Sequence, residues 1–85
     1  MDESLNKAVS IKLSGMPFRS SESDVIEWFS PKAPCTKVRL LKTRDGRPRG
    51  EAIAEFATKE EATQAMTLNK EYLGDRFVIL TPLNF

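Results

Sequence analysis

The stretch TRDGRPRGEAIAEF, residues 43–56, decides the fold. Asp45-Gly46 is a hairpin signal, because a tight turn between antiparallel strands needs residues that tolerate φ > 0. Beyond the turn, Ala52, Ala54 and Phe56 alternate with Glu51, Ile53 and Glu55. A period of two is the strand period, so one set is predicted to face a core and the other to face away. On the near side of the turn, KVRLL (37–41) alternates in the same way, with Val38 and Leu40 inward. The two segments are thus the halves of a hairpin.

The rest of the chain falls into place around that hairpin. VSIKLS (9–14) alternates Val9, Ile11 and Leu13 with Ser10, Lys12 and Ser14, a half-buried strand that Gly15 and Pro17 stop. Ser21 with Asp24 approximates a capping box, and Val25, Trp28 and Phe29 form the apolar stripe of the helix behind it, which Pro31 and Pro34 end. Thr58 with Glu61 reads as a second box, opening a helix that carries Ala62, Ala65 and Met66. EYLGD reads as a turn, and RFVIL (76–80) as the last strand. The order is β-α-β-β-α-β. Each helix has one apolar stripe, so both are expected on one face of a four-stranded antiparallel sheet, the ferredoxin-like α+β plan. The domain is expected over residues 9–81, with a loose polar tail at 1–8 and a short tail at 82–85. Trp28, Phe29 and Phe56 are expected in the core.

Eighty-five residues make one domain with a modest core. No apolar run approaches the length of a membrane span, and the first ten residues lack the apolar segment of a signal peptide. The single cysteine, Cys35, rules out an internal disulfide and fits a reducing compartment.

The net charge of +1 conceals a polarised chain. Residues 37–50 hold six basic side chains, Lys37, Arg39, Lys42, Arg44, Arg47 and Arg49, against Asp45 alone; the remainder holds seven basic and eleven acidic residues. Such a surface suits a polyanion and predicts salt-dependent affinity; its bland counterpart is a hairpin kept soluble by its charges.

Alternation also lists the open face of the sheet: Ser10, Lys12, Ser14, Glu51, Ile53, Glu55, Phe77 and Ile79. Its two central strands offer no aromatic ring. Stacking of a base on a ring is worth roughly 1–3 kcal/mol, so this face is a poor place to hold nucleobases, and Glu51 and Glu55 are expected to repel phosphates. Ile53 and Ile79 form an apolar strip there, which the terminal TPLNF can cover, with Leu83 or Phe85 as the lid, or which a protein partner can occupy.

IKLSGM in the first strand and RGEAIAEF in the third resemble the RNA recognition motif, a sheet whose two signature strands carry stacking aromatics. Where those aromatics belong, this chain has Lys12, Glu51 and Ile53. LSGMPF, TRDGRPRGEAIAEF and YLGDRFVIL are similar to the quasi-RNA recognition motifs of heterogeneous nuclear ribonucleoproteins F and H. The resemblance implies a single-stranded RNA-binding module that holds G-rich RNA through loops, in a nuclear splicing or RNA-processing factor that also reaches the cytoplasm. It implies a monomeric domain of a larger multidomain protein, without a cofactor and away from membranes. It places the contacts on Phe18, Arg47, Lys70 and Arg76-Phe77, and it has an arginine where this chain has Ser14. Arg44 and Arg49 join the set as phosphate neutralisers. The chemistry is coherent on its own terms: guanine O6 and N7 meet the forked donors of an arginine, and an exposed ring supplies a stacking surface.

Enzyme chemistry is not expected. The chain has no histidine, one cysteine and no phosphate-binding glycine loop, and Asn6, Asn69 and Asn84 match no phosphatase arrangement of this fold. Two other readings compete with loop-held RNA: a protein-binding module of the same fold, and sheet-face binding of RNA through Lys12, Ile53 and Phe77.

Overall fold

A computed structural model of the chain describes residues 9–83. The expected N-terminal tail, the asparagines Asn6 and Asn84 and the lid residue Phe85 lie outside the described residues. The elements are β1 (Val9–Ser14), α1 (Glu22–Phe29), β2 (Lys37–Lys42), β3 (Pro48–Phe56), α2 (Lys59–Ala65), β4 (Glu71–Leu73) and β5 (Arg76–Pro82), with a 3₁₀ turn over Met66–Leu68. The sheet runs β2-β3-β1-β5-β4, and every pairing is antiparallel.

The ferredoxin-like plan holds, but the sheet has five strands, not four. Glu71–Leu73, within the segment expected to be a turn, pairs with Arg76–Val78 around Gly74. β5 divides its length between two neighbours: residues 76–78 bond to β4, and residues 79–82 bond to β1. Three residues are too few to show a period, which is why β4 is invisible to alternation. At the other end, Thr81 and Pro82 prolong β5 against Lys12 and Ile11 instead of folding across the sheet, and Leu83 stays exposed with its N–H on the Ser10 carbonyl at 3.0 Å.

Register explains the core. Val9, Ile11, Leu13, Ala52, Ala54, Phe56, Val78 and Leu80 are all buried, on one face, and α1 and α2 cover them with Val25, Phe29, Ala62 and Ala65. Ala52 and Ala54 leave room there; Phe29 and Phe56 meet edge to face at 5.1 Å. Ser21 closes a full capping box with Asp24, and two acids in the first turn suit the helix dipole. The second box is only half formed: Thr58 Oγ1 accepts from the Glu61 N–H, but Glu61 Oε1 makes no hydrogen bond.

Trp28 is not a core residue. Its ring packs edge-on against Phe29 at 5.0 Å and lies half-buried at the margin. An indole N–H withdrawn from water needs an acceptor, and Nε1 finds one in the Tyr72 carbonyl at 2.8 Å. Trp28 thus ties α1 to the short β4. We expect Trp28→Phe to lose about 1 kcal/mol of stability through that bond, and Trp28→Ala to lose about 3 kcal/mol through the packing as well. Urea denaturation of both variants with an unchanged slope checks the ranking.

Candidate nucleic-acid interface

Three connections meet at one end of the sheet. β1 runs out into Gly15–Phe18, β3 passes beside it at Gly50, and the β4–β5 turn brings Arg76 and Phe77 to the same edge. The Met16 N–H donates to the Gly50 carbonyl at 2.9 Å, which carries the β1–β3 pairing one step beyond the strands. Gly50 has φ +73°, and a Cβ there would stand 2.9 Å from the Met16 carbonyl oxygen and 3.0 Å from the Phe18 ring. Phe18 therefore lies against bare backbone, with 61% of it exposed. The Arg76 guanidinium sits 6.0 Å from the centre of that ring, at the outer range of a cation–π contact. Neither of the neighbouring acids Asp75 and Glu71 forms an ion pair with it among the described residues.

An aromatic pair forms at the next residue of the strand. Phe77 is 48% exposed and meets Tyr72 edge to face at 5.8 Å across the β4–β5 register. Sequence reasoning left Tyr72 without a role. Its signal was the spacing of two rings, Tyr72 and Phe77, around a Leu-Gly-Asp-Arg turn, which makes them a cross-strand pair once the segment is read as a hairpin.

The basic residues divide into paired and unpaired. Arg47 Nε lies 3.5 Å from Asp45, both largely solvated, a contact of little strength. Arg49 Nη2 lies 2.8 Å from Glu51 Oε1, an ion pair without hydrogen-bond alignment, and Lys12 approaches the other oxygen at 3.7 Å. Glu51 is thus shared by two cations and is a weaker repellent of phosphate than its charge alone implies. Arg44 forms no ion pair among the described residues. It stands in the three-residue loop Arg44-Asp45-Gly46, where only Gly46 takes a positive φ: the turn is a type I turn closed by a left-handed glycine rather than a pair of left-handed residues. Lys70 stands apart from the Phe18–Arg76 pair, at the other end of β4; it has φ +69° and its N–H donates to the Val78 carbonyl at 2.9 Å.

On the open face, Ile53 is half-buried between Lys12 and Arg39 in register, and Ile79 is exposed beside Ser14. Behind the Phe18 loop, a groove of about 530 Å³ is lined by Pro17, Trp28 and Leu73 together with Asp24, Glu27 and Asp75. Three carboxylates against Arg19 alone give its lining a net negative charge, which disfavours phosphate there. Cys35 is half-buried, with its Sγ 3.3 Å from the Lys37 carbonyl, and burial pushes its thiol up from the usual range. No cluster of metal-ligating side chains is present among the described residues, and no helix there is long and apolar enough to cross a membrane.

Residues 11–82 match the family described as the RRM domain. The chain belongs to that family. It is 40% identical over 70 residues to heterogeneous nuclear ribonucleoprotein H of Rattus norvegicus, an alignment covering 82% of this chain and 15% of that protein. It is 34% identical over 68 residues to probable RNA-binding protein 19 of Homo sapiens, covering 80% of this chain and 7% of that one. This RRM domain therefore spans a small fraction of these relatives. Among solved structures, the Glorund qRRM2 domain superimposes with a TM-score of 0.83 at 28% identity, covering 93% of this chain and 92% of that one. A G-rich RNA sequence binding factor 1 from Homo sapiens superimposes with 0.82 at 26% identity, covering 92% and 82%. The likeness to quasi-RRM domains agrees with the missing aromatics at Lys12, Glu51 and Ile53.

Two outcomes test this geometry. Gly50→Ala is expected to lose about 1–3 kcal/mol, from the left-handed φ and the clash with Met16, and to shift the Phe18 ring resonances. Cys35 is expected to react with iodoacetamide at pH 8 more slowly in the folded domain than in the urea-unfolded chain, because the thiolate is the nucleophile and burial disfavours it.

Proposed function

We propose that this RRM domain binds single-stranded RNA, G-rich sequences favoured, through its rim rather than through the middle of its sheet. The observation that carries the reading is the exposed Phe18 ring beside the Arg76 guanidinium, next to the exposed Phe77–Tyr72 pair. Rings and an arginine fork presented together at one edge suit unstacked bases: the rings offer faces or edges for stacking, and the fork offers donors for guanine O6 and N7. Arg44, Arg47 and Arg49 are the phosphate neutralisers. Arg44 is available outright, Arg47 by breaking a solvated pair, and Arg49 by leaving Glu51. Lys70 contributes only to RNA that passes beside β5. Tyr72 joins the set as the support of Phe77.

Membership of the RRM family supports RNA as the ligand, and the likeness to G-rich RNA sequence binding factor 1 supports the base preference. The similarity to heterogeneous nuclear ribonucleoprotein H supports a nuclear setting in splicing or related RNA processing, within a longer protein in which sister domains add avidity. The continuation of the last strand to Pro82, with the Leu83 N–H on the Ser10 carbonyl, supports a domain that runs from residue 9 to at least the expected residue 81.

Phe18→Ala is expected to weaken binding of a short G-rich RNA by 1–3 kcal/mol, roughly 5- to 150-fold, and Arg76→Ala by a similar factor, with both variants folded. Amide shifts on titration should cluster at residues 15–20, 44–50 and 72–77. Undiminished binding by both variants, or shifts centred on β1 and β3, would sink the rim reading. Silence with G-rich and U-rich RNA alike would favour a protein ligand on the strip of Ile53, Ile79 and Leu83.

A further inference from the structure

The rim accounts for only part of the positive charge. Six cations lie between Lys37 and Arg49. Arg47 and Arg49 are engaged with Asp45 and Glu51, whereas Lys37, Arg39, Lys42 and Arg44 form no ion pair among the described residues. All four are exposed. Three of them belong to β2, which is an outer strand of the sheet with only β3 beside it. At a strand's rise of about 3.3 Å per residue, Lys37 to Lys42 is a length of sheet edge of roughly 17 Å that carries three cations, Lys37 and Arg39 on the open face by alternation. It begins beside the hairpin tip that carries Arg44 and runs away from the rim.

The neighbours of this row differ along its length. Lys37 stands opposite Glu55 in register, so an acid is close at that end. Arg39 stands opposite Ile53, and Lys42 opposite Pro48, with a bulge in the strand just before it. Arg39 and Lys42 thus have no acid across the pairing. Free cations attract a polyanion without first giving up a partner.

We propose that the β2 edge is a second, sequence-independent contact for the sugar–phosphate backbone of nucleotides flanking the bases held at the rim. The inference rests on the rim reading given above. The strand leaves the Phe18–Arg76 end past Arg44, and its phosphates meet Lys42 and Arg39, with Lys37 at the far end weakened by Glu55. Bases need make no specific contact on this path, since the residues across the pairing from Arg39 and Lys42 are Ile53 and Pro48, and neither is an aromatic ring. The length of RNA that the domain protects therefore exceeds the length it reads.

Charges on an outer strand also discourage pairing with another chain, and that guarding role predicts no dependence on RNA length. The deciding measurement is fluorescence anisotropy over a range of salt, with a six-nucleotide G-rich RNA and the same RNA carrying a six-unit abasic sugar–phosphate extension at either end. The native domain is expected to bind one extended RNA more tightly than the short one, with a log K against log salt slope steeper by about 1.4, the value for two single-strand phosphates. Arg39→Gln/Lys42→Gln, both on the exposed edge, is expected to abolish that increment and leave the short RNA unaffected. An extension that adds nothing at either end, or a double variant that keeps the increment, overturns the β2 contact and leaves the rim intact. Failure of the native domain to bind the short RNA overturns the rim and this inference together.

Discussion

The rim depends on two places where backbone approaches backbone too closely for any side chain. A Cβ on Gly15 would stand 2.8 Å from the Phe77 carbonyl oxygen, and one on Gly50 would stand 2.9 Å from the Met16 carbonyl oxygen. Both glycines have positive φ, +86° and +73°, a region that side chains rarely enter. Together they clamp the end of β1 between β3 and β5. Phe18 then emerges over Gly50, and Phe77 emerges beside Gly15. The juxtaposition of Phe18 with Arg76 follows from this clamp, because residues nearly sixty positions apart in the chain are fixed by strands that cannot slide without moving the buried Ile11, Leu13 and Val78 to the wrong face.

Charge organisation follows from the same register. β3 places Glu51 opposite Ser14 and next to the Arg49 that precedes it, so one carboxylate is shared between Arg49 and Lys12 at the start of the central pairing. The middle of the sheet is thereby close to neutral. The unpaired cations are displaced outward, to β2 and the hairpin tip. A polyanion approaching this domain meets positive charge at the edge and rings at the rim, and little that attracts it in between. The absence of central aromatics and the outward displacement of charge are two aspects of one arrangement.

Much of this was legible in the sequence, for identifiable reasons. Alternation in residues 9–14 and 50–56 gave the core and the open face residue by residue, because strands buried on one face keep a strict period of two. Ser21 and Asp24 announced α1 through chemistry that needs no tertiary context. β4 escaped because it is three residues long and its partner is local. Trp28 was misplaced because hydrophobicity predicts burial but not the demand of an indole N–H for an acceptor, which draws the ring to the margin and onto the Tyr72 carbonyl. The rim residues Phe18, Arg76 and Phe77 came from family resemblance, and no period or spacing would have joined Phe18 to Arg76. The distinction between paired and unpaired cations was wholly hidden: Arg47 and Arg49 look no different in sequence from Arg39 and Lys42.

The short hairpin of β4 and β5 links these observations. It carries Arg76 and the Phe77–Tyr72 ring pair, and its Tyr72 carbonyl receives the Trp28 N–H from α1. A three-residue strand paired to half of another has few bonds of its own and is marginal in isolation. The indole bond and the edge-to-face ring pair supply what the ladder lacks. Holding this hairpin against α1 fixes Arg76 in place beside Phe18, so their contact does not depend on the short strand pairing alone. Stability of the helix–hairpin contact and the geometry of the rim are therefore coupled through Tyr72, whose backbone serves the first and whose ring packs against Phe77.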